Sequence, residues 1–106
     1  MKKNEEQLNI LRIIEKKPKT NQRIIANELG YSLGKLNYCI KALRKKGLIK
    51  IRNFKRNDNK FSYLYILTPK GINKKTLLTI NFLKKKSKEY EEIQKELEKT
   101  KKNDKK

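Results

Sequence analysis

The 106-residue sequence has no histidine, no tryptophan, one cysteine, two prolines and four glycines. Without histidine the commonest general acid/base is missing, and one cysteine with no histidine cannot complete a Cys/His metal site. A lone cysteine also excludes an internal disulfide, which suits a reducing compartment. No run approaches the roughly 18 apolar residues of a membrane helix, and the N-terminus has no apolar signal core. The expectation is a soluble cytoplasmic protein that stays off membranes, needs no metal or cofactor and is not an enzyme. With only 35% hydrophobic residues the core must be small, and the length suits one domain.

Acidic residues are scarce as well. There are 11 Asp and Glu against 30 Lys and Arg, a net charge of +19. Such an excess favours a polyanionic partner: nucleic acid, an anionic membrane surface or an acidic protein. Bulk lysine is weak evidence, because abundant Lys, Asn and Ile also follow from an AT-rich coding sequence. Placement says more than the total. Residues 31–60 hold ten Lys and Arg and a single acid, Asp58. An anion is therefore expected to dock on the middle third.

The local pattern predicts helices first. Asn4 is a candidate N-cap for a helix with a wide apolar face at Leu8, Ile10, Leu11, Ile13 and Ile14, stopped before Pro18. Thr20 is the next candidate N-cap, with Ile24, Ile25, Ala26 and Leu29 at helical spacing and Gly30 as a left-handed stop. Ser32 then caps a third helix whose inward stripe is Leu33, Leu36, Ile40 and Leu43, ended by Gly47. Two helices joined by a tight glycine turn form a helix-turn-helix, although the same stripe suits any helical hairpin.

The segment behind the third helix narrows the choice. Leu48 to Phe54 and Phe61 to Leu67 read as strands around the polar tip Lys55-Arg56-Asn57-Asp58-Asn59-Lys60. A basic hairpin in that position makes this a winged helix. Thr68-Pro69 then opens a last helix as N-cap and first helical residue. Ile72, Thr76, Thr79, Leu83, Lys86, Tyr90, Ile93 and Leu97 alternate spacings of four and three, the seam of a coiled coil. The expected fold is mainly α with a small β-hairpin: a winged helix-turn-helix at 1–68, a C-terminal dimerisation helix at 69–98 and a charged flexible tail at 99–106. Thr76, Thr79, Leu83, Tyr90, Ile93 and Leu97 are its expected dimerisation residues, in a homodimer. A solvated helix packed on its own domain is the competing account of that segment.

Four stretches carry a resemblance. Asn21-Gln22-Arg23 through Ala26-Asn27-Glu28-Leu29-Gly30, and Tyr31-Ser32-Leu33-Gly34-Lys35-Leu36-Asn37-Tyr38, resemble MarR-type winged-helix regulators. So do Lys41-Ala42-Leu43-Arg44-Lys45-Lys46-Gly47-Leu48-Ile49 and Tyr63-Leu64-Tyr65-Ile66-Leu67-Thr68-Pro69-Lys70-Gly71-Ile72. The sequence is most similar to the small EPS-associated branch of that family, over roughly residues 5–98. The resemblance implies a dimeric DNA-binding transcription regulator. Larger MarR-type proteins carry a further N-terminal helix beside a ligand pocket. The first core helix here is expected to begin almost at residue 5, so no small-molecule effector is carried over.

Rotation by 100° per residue puts Gly34, Tyr38, Lys41 and Lys45 opposite the apolar stripe of the third helix, with Lys35 and Asn37 flanking. In a helix-turn-helix that outward face enters the major groove of double-stranded DNA. Asn37 offers the donor and acceptor that adenine's edge requires, and Tyr38 suits a base or phosphate. Ser32 with the helix N-terminus suits a phosphate, and Gln22 and Arg23 are candidate backbone contacts. In the wing, Arg56 is the candidate for a narrow minor groove, flanked by Asn57 and Asn59, while Lys55 and Lys60 hold phosphates. Cys39, beside the stripe, reads as a small core residue; oxidation there would displace the reading face. A sequence-specific homodimer on a palindromic operator, serving exopolysaccharide genes, is the expected function. A nonspecific architectural DNA- or RNA-binding protein and a protein-docking adaptor are the alternatives.

Overall fold

A computed structural model describes residues 2–55 and 61–104, and the side chains of 3–52 and 63–103. The chain runs α1 (Lys2–Lys16), β1 (Lys19–Thr20), α2 (Gln22–Leu29), α3 (Leu33–Lys45), β2 (Ile49–Lys55), β3 (Phe61–Leu67) and α4 (Pro69–Asp104). The described strands form one antiparallel sheet in the order β1-β3-β2. The architecture is thus mostly helical, with a small sheet, a winged helix-turn-helix and a long C-terminal helix.

Local chemistry explains most of the boundaries. Asn21 caps α2, its side-chain oxygen accepting from the Ile24 N–H at 2.9 Å. Gly30 ends the helix at φ 71°, a left-handed conformation in which a Cβ is strained. Ser32 caps α3 by accepting from the Lys35 N–H at 3.1 Å. Two expected caps need correction. Asn4 lies inside α1, whose described residues already include Lys2 and Lys3, so it does not cap that helix. Thr20 is buried in β1 opposite Tyr63, so the neighbouring Asn21 takes the cap.

The strand β1 was not expected from the sequence. It is two residues long and exists through long-range pairing: Lys19 lies opposite Leu64, and the Tyr65 N–H donates to the Pro18 carbonyl at 2.8 Å. In the hairpin, Ile49 pairs with Leu67 and Ile51 with Tyr65. Ile49 and Tyr65 are buried and face the helices; Lys50 and Arg52 alternate with them and are exposed.

The core gathers Leu8, Ile10, Leu11 and Ile14 of α1, Ile25 of α2, Leu36, Ile40 and Leu43 of α3, and Ile49 and Tyr65 of the sheet. Leu33 departs from the expected stripe. At the start of α3 it is 47% exposed and borders an open groove. Helix α4 runs antiparallel along α1: Lys75 pairs with Glu15 at 3.0 Å and Lys85 with Glu5 at 3.6 Å, with Leu78 buried between them. The helix continues to Asp104, across residues 99–104 where the charged tail is expected. No proline or glycine interrupts it there, and Lys101 and Lys102 suit the negative end of its dipole.

The junction of α4 with the hairpin is tight. Thr68 Oγ1 accepts from the Gly71 N–H at 3.0 Å, and the Thr68 N–H donates to the Leu48 carbonyl at 3.1 Å. A Cβ at Gly71 would overlap that same Leu48 carbonyl. Glycine to alanine in a helix ordinarily gains up to about 1 kcal/mol. Here overlap with backbone decides the sign: Gly71→Ala is expected to cost about 1–3 kcal/mol. Urea unfolding checks this, and an unchanged or raised midpoint contradicts the close approach.

Candidate nucleic-acid interface

Burial of Leu36, Ile40 and Leu43 sets the rotation of α3 about its axis. Gly34, Tyr38, Lys41 and Lys45 consequently face outward, all exposed, with Tyr38 at 71%. The face is cationic and uncompensated. The five ion pairs among the described residues engage Lys17, Lys35, Lys75, Lys85 and Lys86, and none of them engages Lys41, Arg44 or Lys45. Arg44 and Lys45 also occupy the last turn of α3, where the helix dipole favours cations.

The two flanks of α3 differ. Lys35 lies on the α1 side, pairing with Glu6 at 2.8 Å, its Nζ 4.6 Å from the Tyr31 ring centroid. The hydrogen bond to Glu6 is the main cause that raises its pKa. Asn37 lies on the other flank. Its Nδ2 donates to Gln22 Oε1 at 3.1 Å, so two residues expected to meet DNA separately are bonded to each other. They line an open groove of about 830 Å³ between α2, α3 and the sheet, together with Arg23, Arg44, Tyr63 and Tyr65. The rings of Tyr63 and Tyr65 are tilted against each other with centroids 6.2 Å apart.

Further cations not singled out in the sequence lie alongside. Arg44, Lys50 and Arg52 line a second groove along the β2 edge, about 380 Å³, with no carboxylate in its lining. Arg44 falls about 20° from Asn37 on the helical wheel, a signal present in the spacing. Lys50 and Arg52 show it through strand alternation. The wing-tip candidates Arg56, Asn57, Asn59 and Lys60 lie outside the described residues, as does the Lys55 side chain.

Of the expected seam on α4, Leu83, Tyr90, Ile93 and Leu97 are exposed on the helix. Thr76 and Thr79 turn their hydroxyls onto their own helix, bonding the Ile72 and Lys75 carbonyls at 3.0 and 2.7 Å. Lys86 leans back over the Phe82 ring and pairs with Glu89 at 3.3 Å.

Cys39 is half-buried on the α1 flank. Burial pushes its thiol pKa up and Glu6 adds to this, with Lys35 and Lys3 opposing. A raised pKa means less thiolate near neutrality. Cys39 is therefore expected to alkylate with iodoacetamide at pH 7.5 several-fold more slowly than a free thiol, with the gap narrowing as pH rises. Mass spectrometry of timed aliquots measures this; faster alkylation than the free thiol contradicts it.

Residues 4–50 match a sequence model described as winged helix-turn-helix DNA-binding. No curated protein sequence matches the chain. Several solved structures share the fold. One is the PcaV transcriptional regulator from Streptomyces coelicolor in complex with its natural ligand, at 18% identity and TM-score 0.61, covering 74% of this chain and 54% of that one. Lactococcus lactis ZitR gives 21% and 0.63, covering 80% and 56%. Staphylococcus aureus MarR in complex with salicylate and kanamycin gives 23% and 0.61, covering 81% and 56%. The chain spans little more than half the length of each. Residues 4–50 are thus similar in sequence to winged helix-turn-helix DNA-binding domains, and over most of its length the chain has the winged helix-turn-helix fold.

Proposed function

We propose that the chain is a transcription regulator that binds double-stranded DNA sequence-specifically, as a homodimer on a palindromic operator. The observation that carries the reading is the outward face of α3: Tyr38, Lys41 and Lys45 exposed, unpaired among the described residues, and held opposite a buried stripe. A helix of that kind in a helix-turn-helix suits the major groove. Lysines and arginines there would neutralise phosphates, while Asn37 and Tyr38 would read base edges. Arg44, Lys50 and Arg52 extend the cationic surface toward the wing, where Arg56 is the residue proposed for the minor groove.

The exposed apolar line Leu83, Tyr90, Ile93 and Leu97 supports pairing of two copies through α4. Two-fold pairing would set recognition helices about one DNA turn apart, roughly 10 base pairs between half-site centres. The likeness to the EPS-associated branch makes exopolysaccharide genes the first promoters to examine. A nonspecific architectural role is the second reading, favoured by the overall charge of +19.

Selecting and sequencing genomic fragments bound by the purified protein separates the two. A regulator should hold one site at least about a thousandfold more tightly than random duplex, whereas an architectural protein should show little preference. Affinity should fall by about 0.9 log unit per tenfold salt for each phosphate neutralised, and Arg52→Ala should reduce that slope without changing the preferred site. Truncation after Phe82 should convert a sedimenting dimer to monomer. A truncated chain that still sediments as a dimer contradicts pairing through α4.

A further inference from the structure

Asn37 is the residue on α3 best suited to adenine, yet an asparagine on a helix surface can turn its carboxamide either way. With oxygen and one N–H outward it complements adenine, whose edge offers N7 as acceptor and N6 as donor. With both N–H groups outward it complements an edge with two acceptors, such as guanine N7 and O6. Base choice at this position therefore depends on what holds the amide.

One neighbour does so. Asn37 Nδ2 donates to Gln22 Oε1 at 3.1 Å across the groove between α2 and α3. Gln22 is itself placed by the start of α2 and by the sheet. Its backbone opens α2 directly after the Asn21 cap, and its side chain lies beside Tyr65 in the lining of the groove. Tyr65 is fixed in turn, 1% exposed, with its N–H on the Pro18 carbonyl. Burial raises the Tyr65 pKa and the neighbouring Tyr63 adds to this, with the Gln22 side chain opposing, so the phenol stays protonated and neutral near pH 7. Polar side chains of β3, α2 and α3 thus meet in one groove, with α2 and α3 joined by a hydrogen bond. With the Gln22 amide as placed, turning the Asn37 amide over would set its oxygen against Gln22 Oε1, acceptor against acceptor.

We propose that Gln22 is a positioning residue that sets the base Asn37 reads: it commits one Asn37 N–H inward and leaves Oδ1 and the second N–H for adenine. The inference rests on the DNA-binding reading above. It gives Gln22 a role distinct from the phosphate contact expected from sequence. A phosphate contact strengthens binding to every sequence alike, whereas a positioning residue changes preference at a single base pair in each half-site.

The test uses the full chain and a duplex from the selection, with each base substituted in turn. Wild-type protein and the variants Asn37→Ala, Gln22→Ala, Gln22→Glu and the Gln22→Ala/Asn37→Ala pair are titrated against the set. Wild type should prefer adenine on the order of tenfold at one position per half-site, and Asn37→Ala should abolish that preference. Gln22→Ala should reduce it to about threefold or less, and the paired variant should match Asn37→Ala alone. Gln22→Glu keeps an acceptor for the Asn37 N–H. It should retain the preference while its negative charge weakens all duplexes together. Full adenine preference in Gln22→Ala, with or without a uniform loss of that variant's affinity across all duplexes, overturns the proposal. Specific binding in which no position responds to Asn37 overturns it too and leaves the DNA-binding reading standing; absence of any duplex binding by the wild type removes both.

Discussion

Every functional statement about this chain depends on the burial of three aliphatic side chains, Leu36, Ile40 and Leu43, against α1, α2 and the sheet. Each contributes about 1.5–3 kcal/mol, and their sum is comparable with the whole net stability of a small domain. That burial fixes the rotation of α3 and so selects which residues face solvent. Had the stripe settled one residue round, Lys35 and Cys39 would point outward and Asn37 would lie under the sheet. The cations on the far side lend the core nothing. They are tolerated there because water and salt screen them.

Charge is distributed by the same packing. Glu5 and Glu15 on α1 face lysines of α4, and Glu6 faces Lys35, so the acids of the first helix are spent within the fold. These exposed pairs add little to stability. Their consequence is spatial. Carboxylates collect on the α1 and α4 side, and the outward face of α3 with the β2 edge carries cations alone among the described residues. A polyanion approaching the α3 face and the β2 edge meets cations with no carboxylate among them.

Much of this was legible in the sequence, because it obeys short-range rules. Spacings of three and four mark the buried face of α3. Gly30 and Gly47 both adopt positive φ where a helix ends. Ser32 and Thr68 cap as their side chains suggest. The misses arise from contacts distant in the chain. Thr20 and Asn21 are equally good caps locally, and only pairing with Tyr63 decides between them. Strand β1 has no signal of its own, since two residues acquire their conformation from β3. Leu33 satisfies the apolar spacing but sits at the helix start, over a groove with nothing to bury it. The bond between Gln22 and Asn37 joins residues fifteen apart whose side chains meet only once α2 packs on α3.

The direct test of the central claim, that core burial presents α3 as the nucleic-acid face, is a backbone NMR titration of the full chain with a selected duplex. Resonances of Gly34, Tyr38, Lys41 and Lys45 should shift and broaden together with those of Lys50 and Arg52, while Ile10, Leu11 and Ile14 stay in place. Shifts centred on the lysines at 84–88 of α4, with α3 undisturbed, would contradict the account.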